Sequence, residues 1–133
     1  MANSWEIFAR CDLTLEQFAR EAESILNIRT KKVEDEVGSR FTFIDDDVYV
    51  IINDHSFDND REANFQDYSF YISMVALRHP PPMTSEESIA RRDRFAYAAF
   101  EKLRRTERFA LMMTDNLQTV LRRYDRPPAS SRE

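Results

Sequence analysis

Cys11 is the only cysteine of this 133-residue chain, and His55 is one of two histidines. A thiol and an imidazole are the parts of a nucleophile–base pair. Cys11, however, falls in a stretch where Trp5, Ile7, Ala9 and Cys11 share one face, and a thiol on an apolar face is expected to be buried and inert. His79 precedes the proline run 80–82 and reads as a loop residue. Asp54, Asp58, Asp60 and Glu62 could offer oxygen ligands to calcium. The run Asp58-Asn59-Asp60-Arg61-Glu62 alternates like the start of an EF-hand loop. It lacks that loop's glycine and distant glutamate, and Arg61 opposes a cation. One cysteine and two separated histidines make no zinc set. Gly38 is the only glycine, and phosphate-cradling and dinucleotide loops need several. The sequence therefore predicts no catalytic group, cofactor or metal.

Asp45–Asp67 is the most unusual segment. Eight of its residues are acidic (Asp45, Asp46, Asp47, Asp54, Asp58, Asp60, Glu62, Asp67), and only Arg61 is basic. Crowded carboxylates repel one another unless a cation meets them. Aromatic residues lie among them: Tyr49, Phe57 and Phe65, with Tyr68 just beyond. Carboxylates steer a charged partner, and aromatics supply buried anchors. The sequence thus marks Asp45, Asp46, Asp47, Asp54, Phe57, Asp58, Asp60, Glu62, Phe65, Asp67 and Tyr68 as a docking surface for a basic protein. The competing reading is a solvated loop whose aromatics point into the core.

A net charge of −5 disfavours general binding to nucleic acid and to anionic membranes. Residues 1–77 hold 7 Lys/Arg against 16 Asp/Glu, and residues 78–126 hold 11 against 7. The basic run Arg91–Arg108 is interrupted by Asp93, Glu101 and Glu107, as on a solvated helix face with internal ion pairs. A second copy of the chain, meeting this run with its acidic segment, is a further candidate partner. A lone cysteine, no signal-like N-terminus and no apolar run near 18 residues predict a cytoplasmic protein.

Length predicts one domain over residues 1–125, followed by a disordered polar tail, 126–133. Ser4–Cys11 alternates as a strand. Thr14 and Gln17 form a capping box ahead of a helix to Leu26, and Leu13 and Phe18 are spaced as a hydrophobic staple. Strands are predicted at Thr30–Val37 (charged, an edge strand), Arg40–Ile44, Asp47–Asn53 and Tyr68–Leu77. Asp54–Asp67 is a surface loop, longer than a hairpin requires. A second helix spans Thr84–Thr106, with Ile89, Ala96, Ala99 and Leu103 as its inner stripe. Phe109–Thr114 is a strand, and Leu117–Tyr124 has the spacing of a short helix. The order strand–helix–four strands–helix–strand–short helix predicts an α+β fold. Its plan is split-βαβ-like: a single mixed, mainly antiparallel sheet with two main helices on one face.

In TLEQFAREAESIL, DVYVIIND, FQDYSFYISM and ERFALMMTDNLQTVL the chain resembles small bacterial immunity proteins of polymorphic-toxin and contact-dependent inhibition systems. The shared features are alternating strands and an acidic rim. The resemblance implies a non-enzymatic role, the occlusion of a basic toxin by an acidic surface. It transfers no functional residue by motif. In size, acidity and α+β composition the chain is also similar to type III secretion chaperones, which implies a dimer binding an effector segment. It departs from them by opening with a strand and by placing four strands before its second long helix.

Overall fold

The computed structural model describes residues 4–36, 38–45, 48–60, 63–77 and 85–125. The elements are β1 (Ser4–Arg10), α1 (Leu15–Leu26), β2 (Lys31–Asp35), β3 (Gly38–Asp45), β4 (Val48–Asp54), β5 (Phe70–Ala76), α2 (Ser85–Thr106), β6 (Ala110–Asp115) and β7 (Thr119–Tyr124). A single 3-10 turn, Phe65–Asp67, precedes β5. The strands form one seven-stranded sheet in the order β2-β3-β4-β5-β1-β6-β7. The fold is α+β, and the charged β2 lies at the sheet's edge as its composition predicts.

Every ladder is antiparallel, so the expected mixed sheet is corrected to a wholly antiparallel one. β1 sits between β5 and β6, while α1 carries the chain from this interior strand to the far edge at β2. Among the described residues no parallel split-βαβ pairing forms.

Alternation in β1 decides which layer each residue joins. Trp5, Ile7 and Ala9 face the two helices, and Phe8 faces away. α1 forms as its sequence dictates. The Thr14 hydroxyl accepts from Gln17 N–H at 3.2 Å, and Gln17 Oε1 accepts from Thr14 N–H at 3.0 Å. Asn27 ends the helix at φ 57°. Ala19 and Ala22 of α1 and Ala96 and Ala99 of α2 are buried, allowing both helices to approach the sheet and each other.

Two corrections concern helical spacing. Leu117–Tyr124 is not a helix. Asn116 (φ 54°) and Leu117 (φ 59°) make a left-handed turn closed by Gln118 N–H to the Asp115 carbonyl at 3.0 Å, and the chain returns as β7. A bulge leaves Leu121 outside the register with β6. Leu121 and Tyr124 therefore pack on the helix side, and Leu117 and Val120 on the other. A bulged strand thus reproduces three- and four-residue spacing. In α2, Ile89 is 38% exposed, and Ser88 and Arg92 are buried in the stripe instead. The Arg92 guanidinium lies over Trp5, 4.9 Å from the ring centroid, and Arg92 Nε donates to Asp93 at 2.8 Å. A polar side chain taking a core position is invisible to an apolar periodicity.

The turn residues Asp46 and Asp47, Arg61, Glu62, Arg78–Thr84 with the Thr84 cap, and the 126–133 tail lie outside the described residues. Among the described residues no helix is long and apolar enough to cross a membrane.

Candidate docking surface

The helix-free face of the sheet carries a second, smaller core. Phe8 is its centre, fully buried, with Ala63, Phe65, Tyr68, Ala110 and Met112 around it. Segment 54–69 folds back over this face. Ring centroids lie 4.8 Å (Phe65), 5.1 Å (His55), 5.7 Å (Tyr71) and 6.2 Å (Phe57) from that of Phe8. Such aromatic contacts add directional attraction to the burial of apolar area.

His55 fastens the segment at its root. Its Nδ1 accepts the Phe57 N–H at 3.0 Å, so Nε2 carries the proton and donates to the Tyr68 carbonyl at 2.8 Å. The ring stacks on Phe57 at 5.2 Å. Burial pushes the imidazole pKa below its ordinary value, while the Tyr68 carbonyl and Asp54 act in the other direction. Further out, Asp60 and Ala63 exchange two backbone bonds of 2.9 Å. Gln66 N–H donates to Asn59 Oδ1 at 2.9 Å, and Asn64 Nδ2 donates to Asp67 at 2.6 Å. Arg123 of β7 donates to Asn64 Oδ1 at 2.7 Å, and Ser69 N–H donates to the Ala9 carbonyl at 3.0 Å. The long polar loop is therefore an internally bonded cap.

This folding sorts the sequence-marked residues. Phe65 (3% exposed) and Tyr68 (5% exposed) are core side chains. Their role as exposed anchors is corrected: both spend their apolar area on Phe8. Phe57 is half-buried and keeps an outer surface. Asp54, Asp58, Asp60 and Asp67 are exposed, and none forms an ion pair with a described residue. Several cations elsewhere are paired: Arg40–Asp35, Arg104–Glu101, Arg122–Glu101 and Arg108–Glu21. Asp45 ends β3 at the far end of β4 from Asp54. Strand rise over that length is about 20 Å, so Asp45 and Asp54 are separate places. Tyr49 is half-buried within β4.

An open cleft of about 630 Å³ lies at the root of the cap, lined by Leu15, Gly38, Ser39, Arg40, Asn53, Asp54, His55 and Ser56. Asp54 brings to it a carboxylate with no ion-pair partner among the described residues, whereas Arg40 is held by Asp35 at 2.9 Å.

Cys11 and His55 do not meet. Cys11 packs on the helix-side core and His55 on the other face, and burial raises the thiol pKa away from the thiolate. Among the described residues no three His, Cys, Asp or Glu side chains gather as a metal site.

Sequence reasoning missed Glu6. It is 2% exposed on the interior strand β1, beside Phe8. Its Oε1 accepts from the Thr114 hydroxyl at 2.6 Å and the Leu117 N–H at 2.9 Å, and Oε2 accepts from the Ser4 hydroxyl. Glu6 thereby ties the β6–β7 turn to β1. Burial, the largest influence, raises its pKa. A charged residue between Trp5 and Ile7 was the available signal.

The His55 arrangement has a testable pH dependence. A lowered folded pKa means that protonation opposes the bonded form. Stability from this contact is present above the unfolded value of 6.5 and is lost as pH falls through the lower folded value. In an NMR titration the Phe57 amide should report a midpoint below 6.5. A midpoint at or above 6.5 would contradict the bonding described.

Comparison with protein-family models, with curated proteins and with solved structures gives no match for this chain.

Proposed function

We propose that this chain is a non-enzymatic protein-binding protein of the immunity or inhibitor type, which docks a basic protein on the outer surface of the 54–69 cap. One observation carries the reading: Asp54, Asp58, Asp60 and Asp67 stand exposed, without ion-pair partners among the described residues, on a segment fixed from beneath by Phe8 and His55. Carboxylates held in place before contact lose little entropy on binding and accelerate encounter with a cation. The cleft beside Asp54 suits the entry of a lysine or arginine side chain from the partner, and Phe57 is the aromatic with surface left to give. The cap's other aromatics act as scaffold.

A dimeric secretion chaperone would need a continuous apolar groove. The exposed large apolar side chains among the described residues are Ile44 on β3, and Ile89 and Tyr97 about two turns apart on α2. Arg122 covers the Tyr97 ring at 4.6 Å. This arrangement favours the inhibitor reading. Cytoplasmic location belongs to the same proposal.

The triple substitution D54K/D58K/D60K tests it. Affinity capture from the native host with the wild-type chain should recover a protein of basic pI. Its association rate with the triple variant should fall by about tenfold or more, with steep salt dependence in the wild type alone. The thermal midpoint should change little, because the three side chains are exposed. Equal capture by both chains sinks the proposal.

A further inference from the structure

We infer that β2 is a self-recognition edge: two copies of this chain join by antiparallel β2–β2 pairing about a two-fold axis at Val33, which extends the sheet from one copy into the next. This contact is independent of the cap and of its proposed partner.

β2 ends the sheet, so one side of its backbone is unpaired among the described residues. Its sequence is Lys31-Lys32-Val33-Glu34-Asp35, and all but Val33 are exposed. Charge on an edge strand ordinarily discourages pairing. Here its order does the reverse. Centred on Val33, antiparallel pairing sets Lys32 opposite the partner's Glu34 and Lys31 opposite the partner's Asp35, with Val33 facing the partner's Val33. By symmetry each charged contact occurs twice. Directly opposed residues lie on the same face, so all four pairs are close enough to attract.

Charge and sheet geometry together count against the alternatives. Sliding by two residues sets Lys32 against the partner's Lys32, or Glu34 against the partner's Glu34. A one-residue slip turns one copy's helices to the opposite face. In-register parallel pairing sets like against like, lysine on lysine at 31 and 32 and acid on acid at 34 and 35. The other edge, β7, carries Arg122 and Arg123 and no acid, so it has no such self-complementarity.

Existing contacts leave the pairing open: Asp35 accepts from Arg40 at 2.9 Å and from the Gly38 N–H at 3.3 Å, and a carboxylate has lone pairs for the partner's Lys31 as well. Lys32 reaches Glu16 at 3.5 Å and Glu34 at 3.8 Å, both solvent-exposed and long. Such pairs rearrange at little cost. Lys31 forms no ion pair with a described residue.

Sedimentation velocity of the full chain over a concentration series tests the inference. The wild type should show a monomer–dimer equilibrium that weakens with salt. K31E/K32E and E34K/D35K should each weaken self-association by about tenfold or more, because like charges then meet at every position. Mixed in equal amounts, the two variants should dimerise with each other, since each charge again meets its opposite. Both change exposed side chains; E34K/D35K also removes bonds from Arg40, Gly38 and Ser39 within the β2–β3 hairpin, and unchanged circular dichroism shows that each variant folds. In a Cys11→Ser background, V33C should form an intermolecular disulfide, since opposed Cα atoms stand about 4.5–5.5 Å apart. A wild type that stays monomeric to about 100 μM overturns the inference. So does a dimer indifferent to both charge variants, or one in which V33C fails to crosslink.

Discussion

Replacing Phe8 with alanine should remove roughly 3–5 kcal/mol of stability, the range for deleting a fully buried aromatic ring. The loss is large against the 5–15 kcal/mol total of an ordinary domain. Phe8 is expected at this extreme because two layers lean on it. It occupies an interior strand, and the rings of His55, Phe57, Phe65, Tyr68 and Tyr71 all lie within 6.4 Å of its own, centroid to centroid. Segment 54–69 would lose the surface on which it folds. Urea unfolding measures the loss, and the cap amides should become readily exchangeable in the variant's native state. Phe8→Leu should cost markedly less by refilling part of the cavity. A loss below about 1 kcal/mol for Phe8→Ala would mean that the cap does not rest on Phe8.

Glu6 carries the second large effect, and here two substitutions should diverge. Glu6→Ala deprives the Leu117 N–H and the Thr114 and Ser4 hydroxyls of their acceptor. Leaving buried donors unpaired should cost roughly 2–4 kcal/mol. Glu6→Gln keeps an oxygen for Leu117 and Thr114 and places its amide toward the Ser4 hydroxyl, which can accept. Without a charge to bury, this variant should lie within about 1 kcal/mol of the wild type, or above it, at pH 7. The pH dependence follows from the raised pKa. The folded chain holds its proton more tightly than the unfolded one, so this contribution is fully present below the ordinary value of 4.5 and is lost as pH rises through the raised value. Glu6→Gln removes that loss. Thermal midpoints across pH 4–8 for wild type and glutamine variant separate the effect from other carboxylates. Identical profiles would show that Glu6 does not titrate as a buried group.

The elements legible in the sequence were those whose determinants are local. The Thr14–Gln17 capping box and the stripe of Phe18 and Ala22 mark α1 within one residue. Alternation in β1 correctly divides Trp5, Ile7 and Ala9 from Phe8. Non-local contacts hid the rest. The bulge at Leu121 gave β7 a helical spacing, and only its pairing with β6 reveals the strand. Segment 54–69 has the composition of a solvated loop. Its aromatics are buried because Phe8, about fifty positions earlier, offers them a surface. The same distance reassigns Phe65 and Tyr68 from partner anchors to supports while leaving Asp54, Asp58, Asp60 and Asp67 outside. Glu6 is the extreme case, with hydrogen-bond donors at positions 114 and 117.

The acidic surface rests on one physical claim, that segment 54–69 is a folded cap with aromatics inside and carboxylates outside. Native-state hydrogen exchange, read by NMR at pH 7, tests this most directly. The amides of Phe57, Asp60, Ala63, Gln66 and Tyr68 are all bonded within the segment. They should exchange at least about 100-fold more slowly than unstructured amides, corresponding to an opening free energy of roughly 3 kcal/mol. Exchange of these five at unprotected rates, with β1 and β5 still protected, would contradict the cap and leave its carboxylates without a fixed arrangement to offer a partner.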